Sequence, residues 1–148
     1  MDKPGRLKVY LHKTKGLDLP QRIRLGRFIE SIFRREHIKL AELHYNFCSD
    51  NEIRSLNAKW LGHDYITDIL TFNYATPMLP VSGDIFLGTA EIKRNAQRYN
   101  STIRQETLRV MFHGALHLSG YDDKTDPQKQ AMRRQEDHYL RLYATASK

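Results

Sequence analysis

The chain predicts an α+β fold of mixed α/β character, a small four-stranded mixed sheet with helices packed against it. Three observations lead there. Short stretches in which apolar and polar residues alternate recur between longer stretches with helical spacing. The order along the chain is strand, helix, strand, helix, strand, strand and then three helices, which suits one sheet layered with helices. Finally, 148 residues suffice to bury a substantial core, so a single domain over residues 1–148 is expected.

Each element has its own warrant. RLKVYLHK, from Arg6, sets Leu7, Val9 and Leu11 against Lys8, Tyr10 and His12 and reads as the first strand. Pro20 suits the opening of a helix that runs to about His37, with Leu25, Phe28, Ile29, Ile32 and Phe33 as its apolar stripe. AELHYNFCS is the second strand, with Leu43, Tyr45 and Phe47 on one face. Asp50 is the expected N-cap of a short helix through Trp60. TDILTFNY is rich in β-formers and predicts the third strand; TPMLPVSG, with two prolines, predicts a loop; GDIFLG predicts the fourth strand. TAEIKRNAQRY fits a helix capped by Thr89. Thr102 to Gln105 match a capping box, and the helix they open carries Leu108, Met111, Phe112, Ala115 and Leu116 toward the core. Gly120 suits the position just past its end, and Asp126 and Pro127 open the last helix.

Composition narrows the function classes. Lysine and arginine total 24 against 17 acidic residues, a net charge of +7, which suits a polyanionic partner because neutralised phosphates release counterions. The arginines between Gln21 and Arg35 form either a solvated basic face or an RNA contact. One cysteine, Cys48, excludes an internal disulfide and a cysteine-based zinc knuckle; its place in the alternation LHYNFC predicts a buried thiol. No run approaches the ~18 apolar residues of a membrane span, and the N-terminal residues lack an apolar leader core. The expectation is a cytoplasmic protein without a membrane partner.

The chemistry concentrates in HGALHLSGYDD, residues 113 to 123. His113 and His117 are four apart and so lie one above the other on a helix, a spacing at which two imidazoles share one metal ion. Gly120 ends the helix and lets the chain turn back, and Asp123 follows six residues after His117. Two histidines and one carboxylate meet the three-ligand count of a catalytic zinc with one open position. Asp122 is the rival third ligand. Gly114 stands where a zincin-type protease carries its general-base glutamate, which disfavours that class.

This stretch resembles the signature of the YbeY family of bacterial endoribonucleases, His-Gly-x-Leu-His-Leu-x-Gly-Tyr-Asp-His, and matches it through Asp122. The resemblance extends to SLNAKWLGHDYITDILTF, which is similar to the family's leucine-asparagine turn and following strand, and to GDIFLG and the helix after it. It implies a single-strand-specific, metal-dependent endoribonuclease that holds one Zn(2+) ion per chain and acts in late 3′-end maturation of 16S ribosomal RNA and in ribosome quality control. Ribosomal RNA precursor and the small ribosomal subunit are the implied partners.

Two positions depart from the family pattern. Asp123 replaces the third metal histidine, and Leu61 stands where the family has an arginine implicated in catalysis. A carboxylate lowers the net positive charge on the metal, makes its bound water less acidic and widens the choice toward harder ions such as manganese or magnesium. Leu61 cannot place a cation beside the charge that develops in phosphodiester cleavage. Arg109, on the same helical stripe as His113 and His117, is the candidate replacement, and His63 is a candidate acid, base or phosphate contact. Ordinary roles weigh against both: a solvated helical arginine and a histidine capping its loop. Asp68 reads as a residue that satisfies loop amides; Trp60 and Tyr65 flank His63 and either stack bases or pack beneath the loop. Two rivals stay open, a ribosome-associated RNA-binding assembly factor with a structural metal and a different metal-dependent phosphoesterase.

Overall fold

A computed structural model describes residues 7–146. It contains four strands and five helices: β1 (Val9–His12), α1 (Arg22–Arg35), β2 (Leu40–Cys48), α2 (Asp50–Leu61), β3 (Ile69–Asn73), β4 (Val81–Gly88), α3 (Thr89–Arg98), α4 (Ile103–Leu118) and α5 (Asp126–Ala146). The sheet order is β1-β2-β4-β3. β1 and β4 flank β2 in parallel, and β3 closes the edge antiparallel to β4, so the sheet is mixed. Among the described residues no helix is long and apolar enough to cross a membrane.

Alternation decides which face of the sheet is covered. Leu43, Tyr45 and Phe47 of β2 and Val81, Gly83, Ile85 and Leu87 of β4 are buried, while His44, Asn46, Ser82, Asp84 and Phe86 between them are partly exposed. The covering element is α4, with Val110, Met111, Phe112, Ala115 and Leu116 buried along it. The Tyr45 hydroxyl reaches across from β2 and donates to the Met111 carbonyl at 2.8 Å, tying strand to helix in the interior. α4 also packs against α1, α3 and α5. It is therefore buried nearly all round, which explains why its apolar residues are not confined to one narrow stripe.

Gly114 lets this helix lie close to the sheet. A Cβ there would stand 2.8 Å from Ile85 Cδ1 and 3.0 Å from Ile69 Cδ1. At the other end, Gly120 adopts φ 117°; its N–H donates to the His117 carbonyl and that of Tyr121 to the Leu116 carbonyl, both at 3.1 Å. These are the two bonds of a Schellman ending, with Gly120 at the position expected for it.

Several boundaries differ from the sequence expectation. α1 begins at Arg22 rather than at Pro20, because Gln21 is left-handed (φ 56°) and breaks the run. Ser49, not Asp50, caps α2: its Oγ accepts from Glu52 N and Glu52 Oε1 accepts from Ser49 N, a complete capping box. Thr89 is the first helical residue of α3, with Gly88 as N-cap, and its hydroxyl donates to the Cys48 carbonyl. β4 extends back to Val81, which pairs with Leu40 just beyond Pro80. α2 runs to Leu61, one residue past the expected end at Trp60, with Leu56 and Asn57 inside it as the helix reading has them. The expected first strand started at Arg6, which lies outside the described residues.

Candidate metal centre and cleft

The end of α4 and the segment that links it to α5 bring the candidate ligands together. One ligand atom each from His117, Asp122 and Asp123 lies within 4.8 Å of the others. His113 approaches from one turn earlier, with its Nε2 3.4 Å from Asp123 Oδ2. The segment's position follows from the Schellman ending, which turns the chain back at Gly120, and from Tyr121, whose hydroxyl donates to Glu36 Oε1 at 2.9 Å. The Tyr139 hydroxyl donates to the other oxygen of Glu36, so one carboxylate joins α1, α5 and the segment before the aspartates. Asp122 Oδ1 accepts the Asp123 N–H at 2.8 Å and thereby shapes the loop it belongs to.

The donor set fits a divalent metal. One imidazole and two carboxylates converge, and the second imidazole is aimed by its neighbours. Glu136 Oε2 lies 2.6 Å from His113 Nδ1. A proton on Nδ1 satisfies that contact and leaves the Nε2 lone pair facing Asp123. Arg109 holds Glu136 in turn, with Nη1 donating to Glu136 Oε1 at 2.9 Å and Nη2 to Asp137 Oδ1 at 2.7 Å. The side chains of Arg109 and Glu136 are only 17% and 7% exposed. Burial pulls the His113 pKa down, but the Glu136 hydrogen bond and charge, with Asp123 and Asp68, outweigh it and leave it above its ordinary value.

His113 and Asp123 line one side of a cleft of about 630 Å³. Its other walls are Thr67, Asp68 and Ile69 at the start of β3, Asn95 and Tyr99 from α3, Glu106 from α4, and Lys129, Arg133 and Glu136 from α5. Burial raises the carboxyl pKa values of both Asp68 and Glu106. Asp68 accepts from Asn95 Nδ2 at 3.4 Å, and its backbone carbonyl takes the Gly88 N–H.

The sequence candidates are distributed unevenly around this centre. His113, His117, Asp122 and Asp123 come together, and Arg109 lies on the cleft wall with both terminal nitrogens engaged by carboxylates. His63 stands apart from the cleft lining, exposed in the α2–β3 loop, stacked on Tyr65 at 5.2 Å with its Nδ1 3.1 Å from the Tyr65 hydroxyl. Trp60 and Tyr65 are 60% and 54% exposed. They do not pack beneath the loop; Asn57 anchors it instead, donating to the Tyr65 carbonyl. Glu136 and the cations of α5 escaped the sequence reading. Their signal was present in the spacing 129, 132, 133 and 136, which places Lys129, Met132, Arg133 and Glu136 on one helical face.

Comparison with known proteins agrees with fold and motif. The family model for Endoribonuclease YbeY matches residues 14–144. The chain is 42% identical over 124 residues to the Endoribonuclease YbeY of Cytophaga hutchinsonii, covering 84% of this chain and 87% of that protein. It is 36% identical to that of Chlorobium phaeovibrioides, covering 92% and 90%. Among solved structures, a Thermotoga maritima protein determined in solution superposes with a TM-score of 0.60 at 30% identity, over 89% of this chain and 86% of that one. The matched span includes every strand but β1 and every candidate ligand, and the chain belongs to the YbeY family of endoribonucleases.

Proposed function

We propose that this protein is a single-domain, metal-dependent endoribonuclease that cuts single-stranded RNA at the cleft beside His113 and Asp123. The observation that carries the reading is the convergence of His117, Asp122 and Asp123 donors within 4.8 Å, with His113 aimed at the same place, on the wall of an open cleft. In this reading His113, His117 and Asp123 hold one Zn(2+) ion, and Asp122 braces the loop through the Asp123 N–H. When bound in such a set, zinc supplies Lewis acidity and lowers the pKa of water at its open position.

The chain's own residues orient and exclude. Glu136 fixes the His113 ring, and Arg109 fixes Glu136, so Arg109 acts on the centre through its neighbours. In this reading His63, exposed on the α2–β3 loop and outside the cleft lining, contributes as an RNA phosphate contact, with its stack on Tyr65 holding the ring. The family's printed activity and the charge of +7 support RNA as substrate. Late 3′-end maturation of 16S ribosomal RNA, ribosome quality control, action on the small ribosomal subunit and a cytoplasmic setting complete the proposal.

A second reading draws on the fourth donor. If Asp122 also ligates, the set closes around the metal, as in a structural site, and the protein is an RNA-binding assembly factor. A cleavage assay on matched single-stranded and duplex RNA, with and without chelator, separates the two. Chelator-sensitive cutting of the single strand is expected; tight RNA binding with no cutting under any divalent metal would favour the assembly factor.

A further inference from the structure

We infer that Lys129 and Arg133, one turn apart on α5, form a phosphate-binding clamp at the cleft mouth that seats the RNA backbone beside the metal centre. The inference rests on the endoribonuclease reading for its substrate, and it names the groups that hold that substrate.

The argument starts from charge. Of the cleft's basic side chains, Arg109 already donates to two carboxylates, Glu136 and Asp137. Four carboxylates line the same space, Asp68, Glu106, Asp123 and Glu136. Without free cations such a cleft repels a phosphodiester. Lys129 and Arg133 are the two remaining cations in the lining, both exposed. Neither side chain makes a hydrogen bond or ion pair among the described residues, in contrast to Arg54, Arg94 and Arg104, whose guanidinium groups are bound to carboxylates. The charge of Arg133 is felt by Glu106, deeper in the cleft.

Geometry supplies the second part. Residues four apart on a helix are surface neighbours, so the two head groups reach the same side. Met132 and Glu136 are buried on the adjoining stripe and fix the helix against α4. Glu136 is also the residue that orients His113. The clamp and the aiming of the metal ligand thus share one rigid element. Lysine supplies a compact charge and arginine a fork that takes two phosphate oxygens, a combination suited to a backbone held without reading its bases.

The test is equilibrium binding of a short fluorescent single-stranded oligoribonucleotide, followed by anisotropy across a salt series. It uses the full chain, chelator-treated to prevent cutting, and the metal content of each variant is measured separately after zinc reloading. Lys129→Gln and Arg133→Gln should each weaken binding about three- to fivefold at low salt. Each lost contact should lower the slope of log affinity against log salt by about 0.7, and metal content should stay at the parent value. Arg141→Gln removes an exposed charge further along the same helix and should leave the slope unchanged. A double variant that binds with the parent slope overturns the clamp, as does a parent chain that binds no RNA at low salt. If the slope falls as expected but no divalent metal supports cutting, the clamp stands and the nuclease reading fails.

Discussion

Glu136 decides how His113 presents itself. Its two oxygens are divided between the His113 imidazole and the Arg109 guanidinium, and partners of this kind typically carry tenfold to hundredfold in metal affinity. Glu136→Gln keeps the shape and removes the charge. Zinc affinity, measured by competition with a chromophoric chelator, should fall by roughly that range; an unchanged affinity would mean that His113 does not ligate. Asp123→Ala should lose metal strongly, and Asp123→His should keep it and sharpen the preference for zinc over manganese. Should Asp122→Ala lose the metal while Asp123→Ala keeps it, the two aspartates exchange roles. Both aspartates and both histidines were visible as candidates in HGALHLSGYDD. Glu136 was not, since a lone glutamate in a charged helix looks like any solvated residue until the packing of α5 on α4 buries it.

At the scale of the element, α4 is aimed from both ends. Gly114 sets its distance from the sheet and Gly120 sets the direction in which the chain leaves it. Gly114→Ala forces a methyl against Ile85 and Ile69 and should cost about 1–3 kcal/mol of stability, read as a lowered urea midpoint. Gly120→Ala meets no neighbour within 4 Å but must hold a left-handed backbone, at roughly 1–2 kcal/mol. Because that strain falls where the chain turns toward Asp122 and Asp123, metal affinity should drop in Gly120→Ala more than in Gly114→Ala. Equal loss in both would mean that global stability, not the turn, governs the site. Periodicity and capping residues made the nine elements legible in the sequence. The starts of α1, α2 and α3 were each displaced by one or two residues, because cap geometry depends on backbone angles, as at Gln21 and Ser49, that residue type alone does not determine. What the helix reading of residues 50–60 did not carry is the role of Asn57, which holds the next loop from inside α2 by donating to the Tyr65 carbonyl.

The whole molecule carries a signature in its response to pH. With metal removed by chelator, Asp68, Glu106 and His113 all have folded pKa values raised above their ordinary ones. A raised pKa means that the folded state binds protons more tightly than the unfolded chain, so its contribution to stability is present at low pH and lost as pH rises through the folded value. The metal-free protein should therefore lose melting temperature between about pH 5 and pH 8. Zinc should reverse the trend, since it needs the unprotonated imidazoles. A scanning-calorimetry series in chelator that is flat or rising across that window would count against the raised pKa values of these three groups.

The central claim is that one metal ion, held at the end of α4, is required for RNA cleavage. The most direct measurement adds zinc in steps to fully stripped protein and follows the initial rate of single-stranded RNA cutting. The account predicts no cutting at zero metal, a linear rise that breaks at about one equivalent per chain, and no rise for Asp123→Ala over the same additions. Full-rate cutting by protein verified to be metal-free, or a parent-like titration by Asp123→Ala, would contradict it.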